Sequence, residues 1–173
     1  GIDAQKVTLR VNSEGPAQLN ALPLQFSLAI EGPTQMSLTA SANLNATPPF
    51  SASIQNANLQ LNQAQLSSEI LQLKALQLQS HFNAYWLADS WQLDLEQLTA
   101  NVASATMQDA TLQQLRFTSR NSRLSGDAAF NEIKLNAAAE LNINNLQHSA
   151  IKPIAWQWQI SADGKLSELA ING

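Results

Sequence analysis

The stretch Leu71 to Ser80, LQLKALQLQS, decides the fold. Leucines stand at 71, 73, 76 and 78. They alternate with polar residues, skip one position, then alternate again. At helical spacing these four side chains would point at roughly 0°, 200°, 140° and 340°, two opposed pairs and no stripe. As a strand with one extra residue at Lys74-Ala75, all four point the same way. A β-bulge does this, because two residues of one strand then oppose one of its neighbour. The strand reading wins although Leu, Gln, Lys and Ala individually favour helix.

The same pattern, apolar-x-apolar-x-x-apolar, recurs along the chain. It is found at Ala52-Ile54/Ala57-Leu59-Leu61, Leu93-Leu95/Leu98-Ala100-Val102 and Ala110-Leu112/Leu115-Phe117. It is found again at Ala128-Phe130/Ile133-Leu135-Ala137 and Leu141-Ile143/Leu146. The inserted pairs are Gln55-Asn56, Lys74-Ala75, Glu96-Gln97, Gln113-Gln114, Asn131-Glu132 and Asn144-Asn145, nearly all polar. Their spacings of 19, 22, 17, 18 and 13 residues fit two strands with their turns, which would put a bulge on alternate strands. Stacked units of this kind form a repeat array.

The flanking regions alternate without interruption. Leu22, Leu24, Phe26, Leu28 and Ile30 form one row, Glu31-Gly32-Pro33-Thr34 a turn, and Met36, Leu38, Ala40, Ala42 and Leu44 the return row. Thr47-Pro48-Pro49 breaks the chain again. Ile154, Trp156, Trp158 and Ile160 make a late row, followed by a turn at Ala162-Asp163-Gly164-Lys165 and then Leu166, Leu169 and Ile171. The only helix expected is a short one around Ser80 to Ser90. Apolar on one side and polar on the other, these segments read as an all-β antiparallel sheet. With no amphipathic helix to cover it, the apolar side must close into a self-filled sandwich or solenoid, or curl into a groove.

Composition narrows the chemistry. Charged residues are 13% of the 173 and the net charge is −4, against about 25% charged in an average domain. Nucleic acid asks for a basic face, and an anionic membrane surface asks for the same. There is no cysteine, hence no disulfide framework. No apolar run approaches the roughly 18 residues of a membrane span, so the chain is expected to be soluble. Starting at Gly1 rather than Met, it reads as one segment, residues 1–173, of a longer protein. His81 and His148 have no second ligand at metal spacing. Asp3, Asp89, Asp94, Asp109, Asp127 and Asp163 are scattered, with no paired carboxylates, and no nucleophile or phosphate-loop motif is present. No catalytic residue, metal or cofactor is expected. Trp86, Trp91, Trp156 and Trp158 either pack a core or line an apolar channel.

Leu-rich alternating strands without helices, amide-rich outer faces, recurring bulges, a strand such as GPTQMSLTASANLN (32–45) and the closing SADGKLSELAING (161–173) resemble the AsmA-like repeat superfamily. These are Gram-negative envelope proteins including TamB, YhdP and YdbH, of which YdbH-type chains look most similar. The resemblance spans essentially all of the sequence. It implies a periplasmic, taco-shaped groove in a protein anchored in the inner membrane, conducting phospholipids between inner and outer membranes. Its partners would be acyl chains and either further strands of the parent chain or an outer-membrane protein. A structural module of a secretion or envelope assembly is the alternative. The groove-lining residues would be Leu22, Leu24, Phe26, Leu28, Ile30, Met36, Leu38, Leu44, Ile54, Leu59, Leu61, Leu71, Leu73, Leu76 and Leu78. They would continue with Leu93, Leu95, Leu98, Leu112, Leu115, Phe117, Phe130, Ile133, Leu135, Leu141, Ile143, Trp156 and Trp158.

Overall fold

The computed structural model describes residues 6–13, 15, 18–108, 110–148, 151–165 and 170–172, with 151–153 and 170–172 as backbone alone. These residues form strands β1 (Lys6–Ser13), β2 (Leu22–Glu31), β3 (Thr34–Asn45), β4 (Ser51–Ser67) and β5 (Gln72–Trp86). The series continues with β6 (Ser90–Met107), β7 (Ala110–Asp127), β8 (Ile133–His148), β9 (Ile151–Lys165) and β10 (Ala170–Asn172). All ten lie in one open sheet in chain order, each antiparallel to its sequence neighbours. The described residues include no helix. At about 4.8 Å per strand the sheet is about 48 Å across its strands.

No second layer covers this sheet, so the self-filled sandwich is not the fold. A compact protein of 18.8 kDa should expose about 8,300 Å². This chain exposes 11334 Å². A sandwich core would hold large apolar side chains, yet the buried apolar residues are Ala40, Ala57, Ala105 and Ile143.

Three sequence expectations fail on strand length. The segment from Ser80 to Ser90 is the end of β5, a tight turn and the first residue of β6, not a helix. His81, Asn83 and Tyr85 alternate there with Phe82, Ala84 and Trp86, so pairing with β4 and β6 overrides local propensity. Residues Ala162 to Lys165 are not a turn: β9 runs through them, paired with β8 as far as Lys134↔Lys165. Leu166 and Leu169 lie outside the described residues. Finally, irregularities occur on successive strands, not alternate ones, and those at Lys74-Ala75 and Gln113-Gln114 are left-handed residues that stay level with their neighbours, not insertions. Either kind keeps the apolar residues on their face, so the chain need not turn, and each repeat is one strand of 15 to 18 residues.

The irregularities fall in two belts running across the sheet. In the upper belt β4 carries an extra residue against both β3 and β5, with Asn56 at φ 53°. In β6 the extra residue is Glu96, since His81 pairs with Gln97 but Phe82 with Leu95. Level with Glu96 on β7 is Asn121, at φ 52°. Asn83 ties the belt together. Its Oδ1 accepts the Asn56 backbone N–H at 2.8 Å, and its Nδ2 donates to the Glu96 carboxylate at 2.8 Å. The lower belt runs level through Ala64, Ala75, Ala103, Gln114 and Asn144, with Ala75 at φ 51° and Gln114 at φ 53°. Asn144 Nδ2 donates to Gln114 Oε1 at 2.6 Å. Against β9, the Asn144-Asn145 pair is a true insertion. Asn131-Glu132 is not a bulge: it lies in the β7–β8 connection.

That connection is capped by Asp127. Its carboxylate accepts the Glu132 N–H at 3.0 Å and the Asn131 side-chain amide at 3.2 Å. The Glu132 bond, aided by Asn131, holds the Asp127 carboxyl below its ordinary range despite partial desolvation. Glu132 is lowered too, chiefly by its hydrogen bond to Lys165 at 2.9 Å and that lysine's charge. A carboxylate with a depressed folded pKa stabilises above its unfolded value and loses that contribution as pH falls through the folded one. Melting temperature should therefore drop as pH falls below about 3.9, the ordinary aspartate value. Asp127→Asn, measured by thermal melting across pH, should flatten that slope.

Candidate functional site

Residues paired across antiparallel strands share a face, so the register assigns every side chain. β9 alternates regularly from Ile154 to Gly164. Its partners put Leu135, Ala139, Leu141, Ile143 and Leu146 on one face. Those place Leu112, Leu115, Phe117, Ser119 and Leu124 there, and these in turn Leu93, Leu98, Ala100 and Ala105. The chain of partners runs on through Leu73, Leu78, Ser80, Phe82, Ala84 and Trp86 on β5, and through Ala57, Leu59 and Leu61 on β4. It then takes in Met36 and Leu38 on β3, Leu28 and Ile30 on β2, and Val7 and Leu9 on β1. One apolar face thus crosses the sheet from β1 to β9. Leu95 and Leu98 share it, facing Phe82 and Ser80, which are two residues apart on β5.

Of the lining residues expected from sequence, all but two lie in strands on this face. Leu71 is in the β4–β5 turn, where it hydrogen-bonds Ser68. Phe130 is in the β7–β8 connection and not in a strand row. It nonetheless reaches the apolar side, its ring centroid 5.3 Å from Trp91 and 5.9 Å from Trp86. Sequence reasoning omitted Phe82, Trp86, Trp91, Leu124 and Leu146 from the lining, and Val7, Leu9 and Val11 of edge strand β1. For Phe82 and Trp86 the signal was there: HFNAYW alternates, but its aromatic density invited a helix.

Burial marks the apolar face as the inner one of the curled sheet, because in a single layer side chains are buried only by crowding one another. Of the nine buried residues among those described, Thr34, Ala40, Ala57, Ser80, Ala105, Ser119, Ser122 and Ile143 lie on this face, and only Thr99 on the other. Ala57, Ser80, Ser119 and Ser122 follow the upper belt, interleaved with Phe82, Leu95 and Leu98. The two β7 serines keep their hydroxyls internal. Their oxygens are 2.7 Å apart, and Ser119 Oγ donates to the Ala138 carbonyl at 3.0 Å. All four tryptophans share the face. Trp156 and Trp158 stack at 5.6 Å and are 41% and 52% exposed, on β9.

The opposite face is polar. Asp94 pairs with Arg123 at 2.6 Å. Glu140 accepts from Asn142 at 2.9 Å and from Gln157 at 2.8 Å. A shallow depression of about 820 Å³ is lined there by Arg116, Thr118, Arg120, Glu140, Gln159 and Ser161 among others. The two faces therefore offer different chemistry: long apolar matter on the concave side, water on the other. No protein-family model, curated protein or solved structure matches the chain.

Proposed function

We propose that the concave face is a stretch of hydrophobic groove that holds phospholipid acyl chains and lets them slide across the strands, in the manner of AsmA-like envelope proteins. In this reading the chain works in the periplasm of a Gram-negative bacterium, as part of a protein anchored in the inner membrane. Further strands, or an outer-membrane protein, continue the groove beyond β1 and β10. The observation that carries the reading is the unbroken apolar face from β1 to β9, open to solvent along its length. Each methylene withdrawn from water is worth about 0.8 kcal/mol, so an acyl chain is held well. Neighbouring strands present similar side chains, so a lipid that moves by one strand gives up little. Transport of this kind needs no reacting group.

The four tryptophans provide the test. Because Trp86, Trp91, Trp156 and Trp158 all lie on the concave face, phospholipid brominated on its acyl chains should quench most of the intrinsic fluorescence on binding. Unbrominated lipid should not quench. Native mass spectrometry of the purified protein should show co-purifying phospholipid. Unquenched fluorescence together with a lipid-free mass spectrum would sink the reading.

A further inference from the structure

The up-and-down topology gathers the β1–β2, β3–β4, β5–β6 and β7–β8 connections along one rim of the sheet. Each presents one large apolar side chain to solvent: Leu19 at 76% exposure, Phe50 at 61%, Leu87 at 52% and Phe130 at 54%. The tips recur every second strand, about 10 Å apart, in a line of about 29 Å. The rim is also tied together from loop to loop. The Ala46 N–H donates to the Leu19 carbonyl at 2.7 Å, joining the first two connections. The Ala128 N–H donates to the Asp89 carbonyl at 2.9 Å, joining the last two. On the opposite rim Ile70, at 67%, and Met107, at 55%, are comparable among the described residues, but they do not form a line of four.

We infer that this rim seats the protein on a zwitterionic lipid bilayer, with Leu19, Phe50, Leu87 and Phe130 dipping into the interface. Apolar and aromatic tips on a fixed line suit the boundary between headgroups and acyl chains. A second copy of the chain is a poorer occupant. At about 200 Å² per large side chain, the four tips offer about 500 Å², against the roughly 800 Å² each partner gives a standard interface. The charges select the kind of bilayer. Asp89, Asp127 and Glu132 stand at this rim together with Lys134 and Lys165, the latter paired with Glu132 at 2.9 Å, so the rim carries no basic excess. With a net charge of −4 on the chain, anionic lipid offers no attraction, so the binding is apolar and persists in salt. The inference goes beyond the groove reading and does not depend on it.

Flotation with phosphatidylcholine vesicles tests it. The protein should float with them in low and high salt, and more weakly with phosphatidylglycerol vesicles. Leu19→Ser, Phe50→Ser and Leu87→Ser combined should lower the bound fraction at least tenfold, while Ile70→Ser on the other rim changes nothing. Phe130 stays in place because it packs on Trp86 and Trp91. An unchanged melting curve and retained quenching by brominated lipid in detergent micelles certify the triple variant as folded. Should the triple variant unfold, Leu87→Ser alone must still lower binding measurably. Leu95→Asp, aimed at the concave face, should float like the unmodified protein, so the rim and the groove fail separately. The inference is overturned if the unmodified protein does not float, or if the triple variant floats equally well. It is also overturned if binding requires anionic lipid and vanishes in salt, or if the triple substitution instead dissolves a dimer.

Discussion

Leu95→Asp is expected to leave the melting transition near that of the unmodified protein while slowing vesicle-to-vesicle phospholipid transfer by roughly a hundredfold. Leu95 is half-buried on the concave face, between Phe82 of β5 and Ser122 of β7. No layer lies over it, so in the empty groove a carboxylate there keeps its water. An acyl chain passing over it must strip that water, at an effective cost of several kcal/mol per ion. At about 1.4 kcal/mol per factor of ten, about 3 kcal/mol gives the hundredfold figure. Gln97→Asp, on the exposed polar face, is the control and should transfer normally. Were the leucines packed against a second layer, the same substitution would bury an isolated charge and the fold would collapse. A lost melting transition would therefore overturn the open groove. Normal melting with normal transfer would remove Leu95 from the lipid path.

Gly126→Ala should lower the melting temperature by roughly 3–10 °C, the shift that about 1–3 kcal/mol of overpacking produces in a domain of this size. Gly126 closes β7 beneath the Trp91 indole. An added Cβ would stand 2.6 Å from the Glu132 carbonyl oxygen and 3.0 Å from Cε2 and Cζ2 of Trp91. The carbonyl belongs to backbone held by the Asp127 cap, so it has little room to retreat. Trp91 can move only by disturbing its contact with Phe130. Differential scanning calorimetry decides the matter, and an unchanged melting temperature would show that this corner is loosely packed. A rise in indole emission wavelength should accompany the loss, because the displaced Trp91 gains water.

Much of this architecture is legible in the letters, because bulged strands write their geometry as a break in the alternation. Leu71 to Ser80 named the break at Ala75, which is a left-handed residue level with Ala64 and Ala103 and not an insertion, and Leu93 to Val102 named the bulge at Glu96. The bulge on β7 against β8 is written in the same spacing, Phe117-x-Ser119-x-x-Ser122-x-Leu124. It escaped notice because its inward residues are serines, which satisfy one another in place of being apolar. Strand length was misread for a related reason. Polar pairs such as Asn144-Asn145 look like turns, and nothing local says that the chain runs straight on. Phe130 fits an alternating row by spacing alone, yet it lies in the β7–β8 connection. Only the fold brings it to Trp86 and Trp91 from there. The two belts themselves were not readable, since they depend on irregularities falling level on different strands.

That levelness sets a dimension. Seven residues separate Glu96 from Ala103 in β6, and seven separate Gln114 from Asn121 in β7. At about 3.3 Å per residue each interval is about 23 Å. On β4 and β5 the interval is eight residues, Asn56 to Ala64 and Ala75 to Asn83, so the belts run nearly parallel across the sheet. Because the irregularities stay level, the apolar rows pass from strand to strand without changing face. Deleting one residue between the belts of a single strand would turn every side chain on one side of the deletion to the opposite face, breaking the apolar surface at that strand alone.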